Sequence, residues 1–186
     1  MEKVKKIVIV GPESTGKSTI CAQLAGHFNT TWVAEYAREY LLKNGTDYKV
    51  EDLLTIAKGQ LALEEQGEAR LMSDSNNTGK LLFIDTNMYV MQVWSEFVFG
   101  KCDSWILEQI VKRPYDLYML CNTDLPWIKD ELREYPDMES RSRLFHIYKQ
   151  ILSSQEVPWV EITGGYDERL QTAINAVHSQ FPHRVK

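Results

Sequence analysis

The chain has 186 residues, enough for one domain of ordinary size, and its 44% hydrophobic content can fill one sizeable core. Charged residues make up 25%, which excludes a wholly disordered chain. The net charge of −5 argues against a large nucleic-acid footprint, since such surfaces are basic. Cys21, Cys102 and Cys121 show neither C-x-x-C nor zinc spacing and read as small buried apolar residues of a protein from a reducing compartment. The basic start leads into only four apolar residues, Ile7 to Val10, where a secretory leader needs about 7–15. No run approaches the roughly 18 residues of a membrane span. A cytoplasmic location without membrane contact is expected.

In chain order, apolar runs recur at Lys6–Val10, Thr31–Ala34, Leu81–Asp85, Asp116–Leu120 and Pro158–Ile162. Apolar on successive residues, they predict strands buried on both faces. Helical periodicity fills the gaps. Val50, Leu53, Leu54, Ala57 and Leu61 share one face, as do Leu144, Ile147, Tyr148, Ile151 and Leu152. Met72 to Lys80, MSDSNNTGK, reads as a surface loop. Strand alternating with helix predicts an α/β fold, a parallel sheet with helices on both faces, as a single domain over 1–186. In such sheets the chemistry lies beyond the carboxyl ends of the strands.

After the first strand, Gly11 to Ser18 read GPESTGKS and match G-x-x-x-x-G-K-[ST]. The glycines let backbone N–H groups approach phosphate oxygens, and the following helix adds its positive end. The expected nucleotide-binding set is Gly11, Glu13, Ser14, Thr15, Gly16, Lys17, Ser18 and Thr19. Lys17 is expected to reach the β- and γ-phosphates, and the Ser18 hydroxyl to ligate Mg²⁺. After the second strand comes AEYAREY. Glu35 at the strand tip can accept a proton from an attacking hydroxyl or order a metal-bound water. Arg38 either holds an anionic substrate or positions Glu35; an ordinary helix-start ion pair is the alternative. Glu39 reads as a solvated charge.

The third strand ends in Asp85, the position of a Walker B aspartate that ligates Mg²⁺; an N-cap role is compatible with this. Thr86 and Asn87 read either as substrate contacts or as early helix residues. Beyond the fourth strand, 124–145 carries Asp130, Arg133, Arg141 and Arg143. A helix–loop–helix here would be a lid whose arginines neutralise a migrating phosphoryl group, and Pro126 favours a helix start. A mixed-charge surface helix pair is the competing reading.

GPESTGKST, EYAREY, FIDTN and DLPWIKDELR stand in the order and at the spacing found in the ribosylnicotinamide kinase domain of the NadR-like proteins, and the chain resembles that family over nearly its whole length. The resemblance implies a P-loop kinase fold with a five-stranded parallel sheet and a helical lid. It implies transfer of phosphate from ATP–Mg²⁺ to the 5′-hydroxyl of nicotinamide riboside, giving nicotinamide mononucleotide. The chain is expected to be the kinase module alone, without the family's adenylyltransferase domain. Two aromatic residues that the family uses around the nicotinamide ring are replaced by Ala34 and, by rough alignment, Leu63. Trp32, Tyr36, Trp94 and Trp127 are either substitutes or core residues. TGGYDER, Thr163 to Arg169, follows the fifth strand where similar kinases place the adenine, or is a plain turn.

The mechanism expected from these residues is in-line phosphoryl transfer. Lys17 and the loop amides hold the donor, Ser18 and Asp85 the metal, and Glu35 takes the acceptor proton. Arg133 and Arg141 are the lid arginines, and Glu35, Tyr36, Arg38, Asp85 and Asn87 form the acceptor site. The partner is then a small nucleoside rather than a nucleic acid. A kinase for another nucleoside or a nucleoside monophosphate, and a nucleotide-dependent switch acting on a protein, remain the alternatives.

Overall fold

The computed structural model describes residues 3–77 and 79–184. Its strands are β1 (Lys5–Val10), β2 (Thr31–Val33), β3 (Leu81–Asp85), β4 (Leu117–Cys121) and β5 (Trp159–Ile162). They form one parallel sheet in the order β2-β3-β1-β4-β5. The helices among the described residues are α1 (Lys17–His27), α2 (Tyr36–Asn44), α3 (Val50–Ser73), α4 (Met88–Phe99), α5 (Ser104–Lys112), α6 (Met138–Ser153) and α7 (Tyr166–Gln180).

Alternation along the strands divides the core in two. Ile7, Ile9, Phe83 and Met119 face α1 and α7, where they meet Ile20, Leu24, Ala173 and Val177. Val8, Val10, Ile84 and Leu120 face the other way, onto Leu71 of α3, Val93 of α4 and Leu144, Phe145 and Tyr148 of α6. Both faces are covered, so β1 and β3 read as unbroken apolar runs. A third cluster joins α2, α3, α4 and α5 through Ala37, Ile56, Ala57, Met91 and Ile106. Cys21 and Cys121 are buried, whereas Cys102 is half-buried.

A buried charge stands near the start of β1. Lys6 in β1 is buried, and its Nζ donates to Glu64 Oε1 of α3 at 3.0 Å. The Tyr115 hydroxyl donates to the other oxygen, Glu64 Oε2, at 2.9 Å. The ammonium also lies over the Tyr115 ring, 4.9 Å from its centroid. A buried pair with its remaining valences met in this way tolerates desolvation that an isolated charge would not.

Two expectations need correction. Met72 and Ser73 extend α3, so the loop before β3 begins at Asp74. The segment after β4 is not a helix–loop–helix: 122–137 is irregular, and α6 starts only at Met138, capped by Asp137. Pro126 opens no helix. The backbone there is held by the phosphate loop, as described below, rather than by its own hydrogen bonds.

The buried pair sets a stability test. Glu64→Leu leaves the Lys6 ammonium with only the more distant Glu68 carboxylate, at 3.8 Å, and should cost about 3 kcal/mol in urea unfolding. Adding Lys6→Met should recover most of that loss. A double variant no more stable than Glu64→Leu alone would show that the pair's charge is not what the single change exposes.

Candidate active site

The loop after β1 turns sharply at Gly11. Its φ is +142°, and a side chain there would meet the Cys121 carbonyl at 2.7 Å. Only glycine allows this approach to β4. The loop then closes on itself: Thr15 Oγ1 donates to the Pro12 carbonyl at 2.7 Å, and Lys17 Nζ donates to the same oxygen at 2.9 Å. The Lys17 amine thus rests on a neutral carbonyl rather than in an ion pair.

Arg169 supports the loop from behind. It is buried, donating to the carbonyls of Thr15 at 3.0 Å, Asn122 at 2.9 Å and Gly164 at 2.8 Å, and to the Asp124 carboxylate. One guanidinium therefore ties the phosphate loop to the loops after β4 and β5. The sequence carried a sign of it. An arginine in the first turns of α7 opposes the helix dipole unless specific acceptors claim it.

Asp85 ends β3 fully buried. Ser18 Oγ donates to its Oδ2 at 2.5 Å, while Oδ1 has no hydrogen-bond partner among the described residues. The buried Thr86 hydroxyl is likewise unpartnered, and Thr86 adopts φ +77°, unfavourable for a β-branched residue. Burial, together with the nearby Glu35 carboxylate, pushes the Asp85 carboxyl up to about 6, against the opposing influence of Lys17 and Ser18. Glu35 stands at the N-cap of α2, yet its side chain makes no capping bond and instead lines the cavity.

A cavity of about 240 Å³ is lined by the phosphate loop, Gly11 to Thr19, by Glu35 and Arg38, and by Val90, Trp94, Phe97, Leu132, Glu134, Tyr135 and Tyr148. Its roof is 124–137, pinned by the phosphate loop. Glu13 accepts from the N–H groups of Glu134 at 2.9 Å and Tyr135 at 3.2 Å. Burial raises the Glu13 carboxyl, against these two bonds and Lys17. Ser14 Oγ accepts from the Ile128 N–H at 3.0 Å and from Arg133 Nη1 at 3.3 Å. Arg38 forms a two-pronged bond to Asp130, at 3.2 and 2.9 Å, which holds the Asp130 carboxyl below its usual range.

The remaining candidate residues divide. Arg133 lines the cavity. Arg141 does not: it is buried, with Nη2 on the carbonyls of Ser14 at 3.4 Å and Leu125 at 3.3 Å. Both guanidiniums lie beside Trp127, at 5.9 and 5.6 Å from its centroid. Arg143 lies over Phe97 instead. Asn87, not Asp85, caps α4: it accepts from the Tyr89 N–H at 3.1 Å and donates to the Tyr118 hydroxyl at 3.3 Å. Tyr36 is outside the cavity lining and packs on α3 at Gly59, where a Cβ would meet its ring at 2.1 Å. Ala34 is exposed, whereas Leu63 and Trp32 pack against the core clusters. Of the tryptophans, Trp94 lines the cavity, its Nε1 donating to the Tyr48 hydroxyl, which in turn donates to Glu134 Oε2. Phe97, Tyr135 and Tyr148 were not read as site residues in the sequence, where Tyr148 stood only as a position on an apolar helix face, because they come from three separate segments.

Comparison with known proteins agrees with this architecture. The chain is 26% identical over 180 residues to the trifunctional NAD biosynthesis/regulator protein NadR of Escherichia coli, covering 96% of this chain and 43% of that protein. It is 28% identical over 177 residues to its Salmonella typhimurium counterpart, covering 94% and 42%. The chain thus spans less than half the length of the curated relatives it matches. A crystal structure of NadR protein in complex with NR has a TM-score of 0.80 at 24% identity, covering 98% of this chain and 51% of that one. Deoxyadenosine kinase from M. mycoides gives 0.64 at 13% identity, covering 94% and 99%. These likenesses establish the fold. The model of the AAA domain family matches residues 6–169, from the first strand to the arginine that braces the phosphate loop, and the chain belongs to that family.

Proposed function

We propose that the protein is an ATP-dependent kinase that phosphorylates the 5′-hydroxyl of nicotinamide riboside. The observation that carries this reading is that Lys17, Ser18 and Glu35 line one cavity together with the aromatic side chains of Trp94, Phe97 and Tyr135. The relatives named for NAD biosynthesis, and the matching fold described with NR, support the choice of acceptor. Residues 1–186 act as one catalytic unit on this reading, with 124–145 as its cover.

The residues present fit a magnesium ion. Asp85 offers an unpartnered buried oxygen next to the one held by Ser18, and two neighbouring carboxylates leave the site short of positive charge. Ser18 and Asp85 would hold the ion, which when bound supplies charge neutralisation for the phosphates. The chain's own groups do the rest. Lys17 exchanges the Pro12 carbonyl for a phosphate oxygen. The loop amides cradle the donor. Glu35, free of any capping duty, accepts the hydroxyl proton. Arg133 faces the cavity and serves the migrating charge, while Arg141 secures the roof. The aromatic wall offers faces for a flat cationic base, with the Glu134 carboxylate nearby.

The direct test is phosphotransfer from ATP–Mg²⁺ to nicotinamide riboside, nicotinamide mononucleotide, the common nucleosides and deoxynucleosides, and their monophosphates. Selective formation of nicotinamide mononucleotide is expected. Transfer to a deoxynucleoside alone would keep the kinase and discard the nicotinamide acceptor.

Two sets of variants probe the roles. Lys17→Ala should weaken both ATP binding and turnover. Glu35→Gln should spare ATP binding and lower turnover by about 10²–10⁴-fold; unchanged turnover removes Glu35 from the chemistry. Asp85→Asn should lower turnover and raise the magnesium concentration it needs, yet stabilise the metal-free protein. The Asp85 carboxyl titrates near 6 in the fold and near 3.8 when free, so its ionisation destabilises the fold progressively between those pH values. At pH 7.5 in EDTA, the gain in Asp85→Asn should be about 2–3 kcal/mol. It should shrink as the pH falls through 6 and vanish below about 4. A gain independent of pH would show that the carboxylate's charge is not the cause.

A further inference from the structure

Gln60 is a buried polar residue on the inner face of α3, among Ile56, Ala57 and Leu61, and it is not part of the lining of the cavity described above. A primary amide in such a place is costly unless its oxygen and both N–H groups are used. Here they are. The Tyr36 N–H donates to Oε1 at 2.7 Å, and Nε2 donates to the carbonyls of Ala34 and Asp85, each at 3.3 Å. The Tyr36 N–H fixes which way round the amide sits, because a donor can face only the oxygen.

The acceptors identify what the amide holds. Ala34 and Tyr36 are the residues before and after Glu35. Asp85 is the other carboxylate of the site. The β2–β3 ladder has its last pair at Val33 and Ile84, one residue short of both. Beyond that pair the strands no longer bond to each other, and the Gln60 side chain spans the gap. It also meets an N–H at the start of α2 that Glu35, as N-cap, leaves alone. Glu35 therefore keeps a fixed backbone while its carboxylate stays free for the cavity.

We propose that Gln60 is a positioning residue for phosphoryl transfer: its amide clamps the tips of β2 and β3 and so fixes Glu35 relative to Asp85. The proposal rests on the kinase reading above, and its effect is on turnover rather than on nucleotide affinity, since Gln60 touches nothing on the phosphate loop. Only an amide serves. A carboxylate of the same shape could accept from Tyr36 but would face two carbonyls with no hydrogen to give.

The experiment uses the full chain with Gln60→Met, which keeps the length and removes every hydrogen bond, and Gln60→Glu, which keeps only the acceptor. In both, kcat should fall by about 10–10²-fold, with the affinity for an ATP analogue and the KM for the acceptor within about threefold of wild type. In a Glu35→Gln background, Gln60→Met should add less than about threefold, because the residue it positions is already disabled. Amide hydrogen exchange gives a readout independent of turnover. The Tyr36 N–H should lose protection in Gln60→Met by about tenfold or more, while the β1 amides keep theirs. Wild-type kcat in folded Gln60→Met overturns the proposal, as does a loss that multiplies in full with that of Glu35→Gln, or an unchanged Tyr36 amide. A wild-type chain that transfers phosphate to no acceptor, with its Tyr36 amide protected, overturns the kinase reading and with it the catalytic purpose of the clamp.

Discussion

The site is organised around a carboxylate kept out of water. Asp85 ends a strand whose neighbours on both sides are apolar, so it ionises in surroundings that disfavour charge. Much of what lies nearby answers that condition. Ser18 reaches across from the start of α1 to give it a hydroxyl, and Lys17 supplies the nearest positive field. Glu35 comes close enough to deepen the imbalance rather than relieve it. A second negative group beside a buried one makes sense where a cation is to be gathered, and it fits the two unpartnered buried oxygens of Asp85 and Thr86.

Several of the chain's unusual backbone conformations lie at the site: Gly11 and Ser14 within the phosphate loop and Thr86 next to Asp85. The surrounding structure overdetermines them. Arg169 fixes the loop through Thr15, and the β1–β3 pairing runs on to Ile9 and Asp85. Strained conformers persist where neighbouring contacts leave no alternative, and such places concentrate at sites of function.

The sheet was readable because both its faces are buried: each strand appears as an apolar run with bounds close to those observed. The loop after β1 and the residues closing β2 and β3 were readable for a related reason, since strand ends in this architecture are where side chains meet. What escaped is what depends on contact between distant segments. The roof looked helical because Pro126 and the following charges suit a helix, but Glu13 and Ser14 offer its backbone better partners than its own carbonyls do. Asn87 read either as a substrate contact or as an early helix residue, and its side chain caps α4. Gln60 and Glu64, one turn apart on the buried face of α3, were not read from the sequence at all. Their meaning lay in strands 25 and more residues away.

The bonds from Glu13 and Ser14 to the roof have a consequence for how the motif can change. These two residues occupy positions that the phosphate-loop pattern leaves open, so they look free to drift. In this chain they are hinge pins: the part that grips phosphate and the part that covers it are one mechanical piece, joined by side chains from the variable positions of the grip. Divergence at Glu13 or Ser14 would therefore be heard first in the resting posture of the cover. Relatives with different residues there should differ in how open they stand when empty, even where their phosphate chemistry is the same.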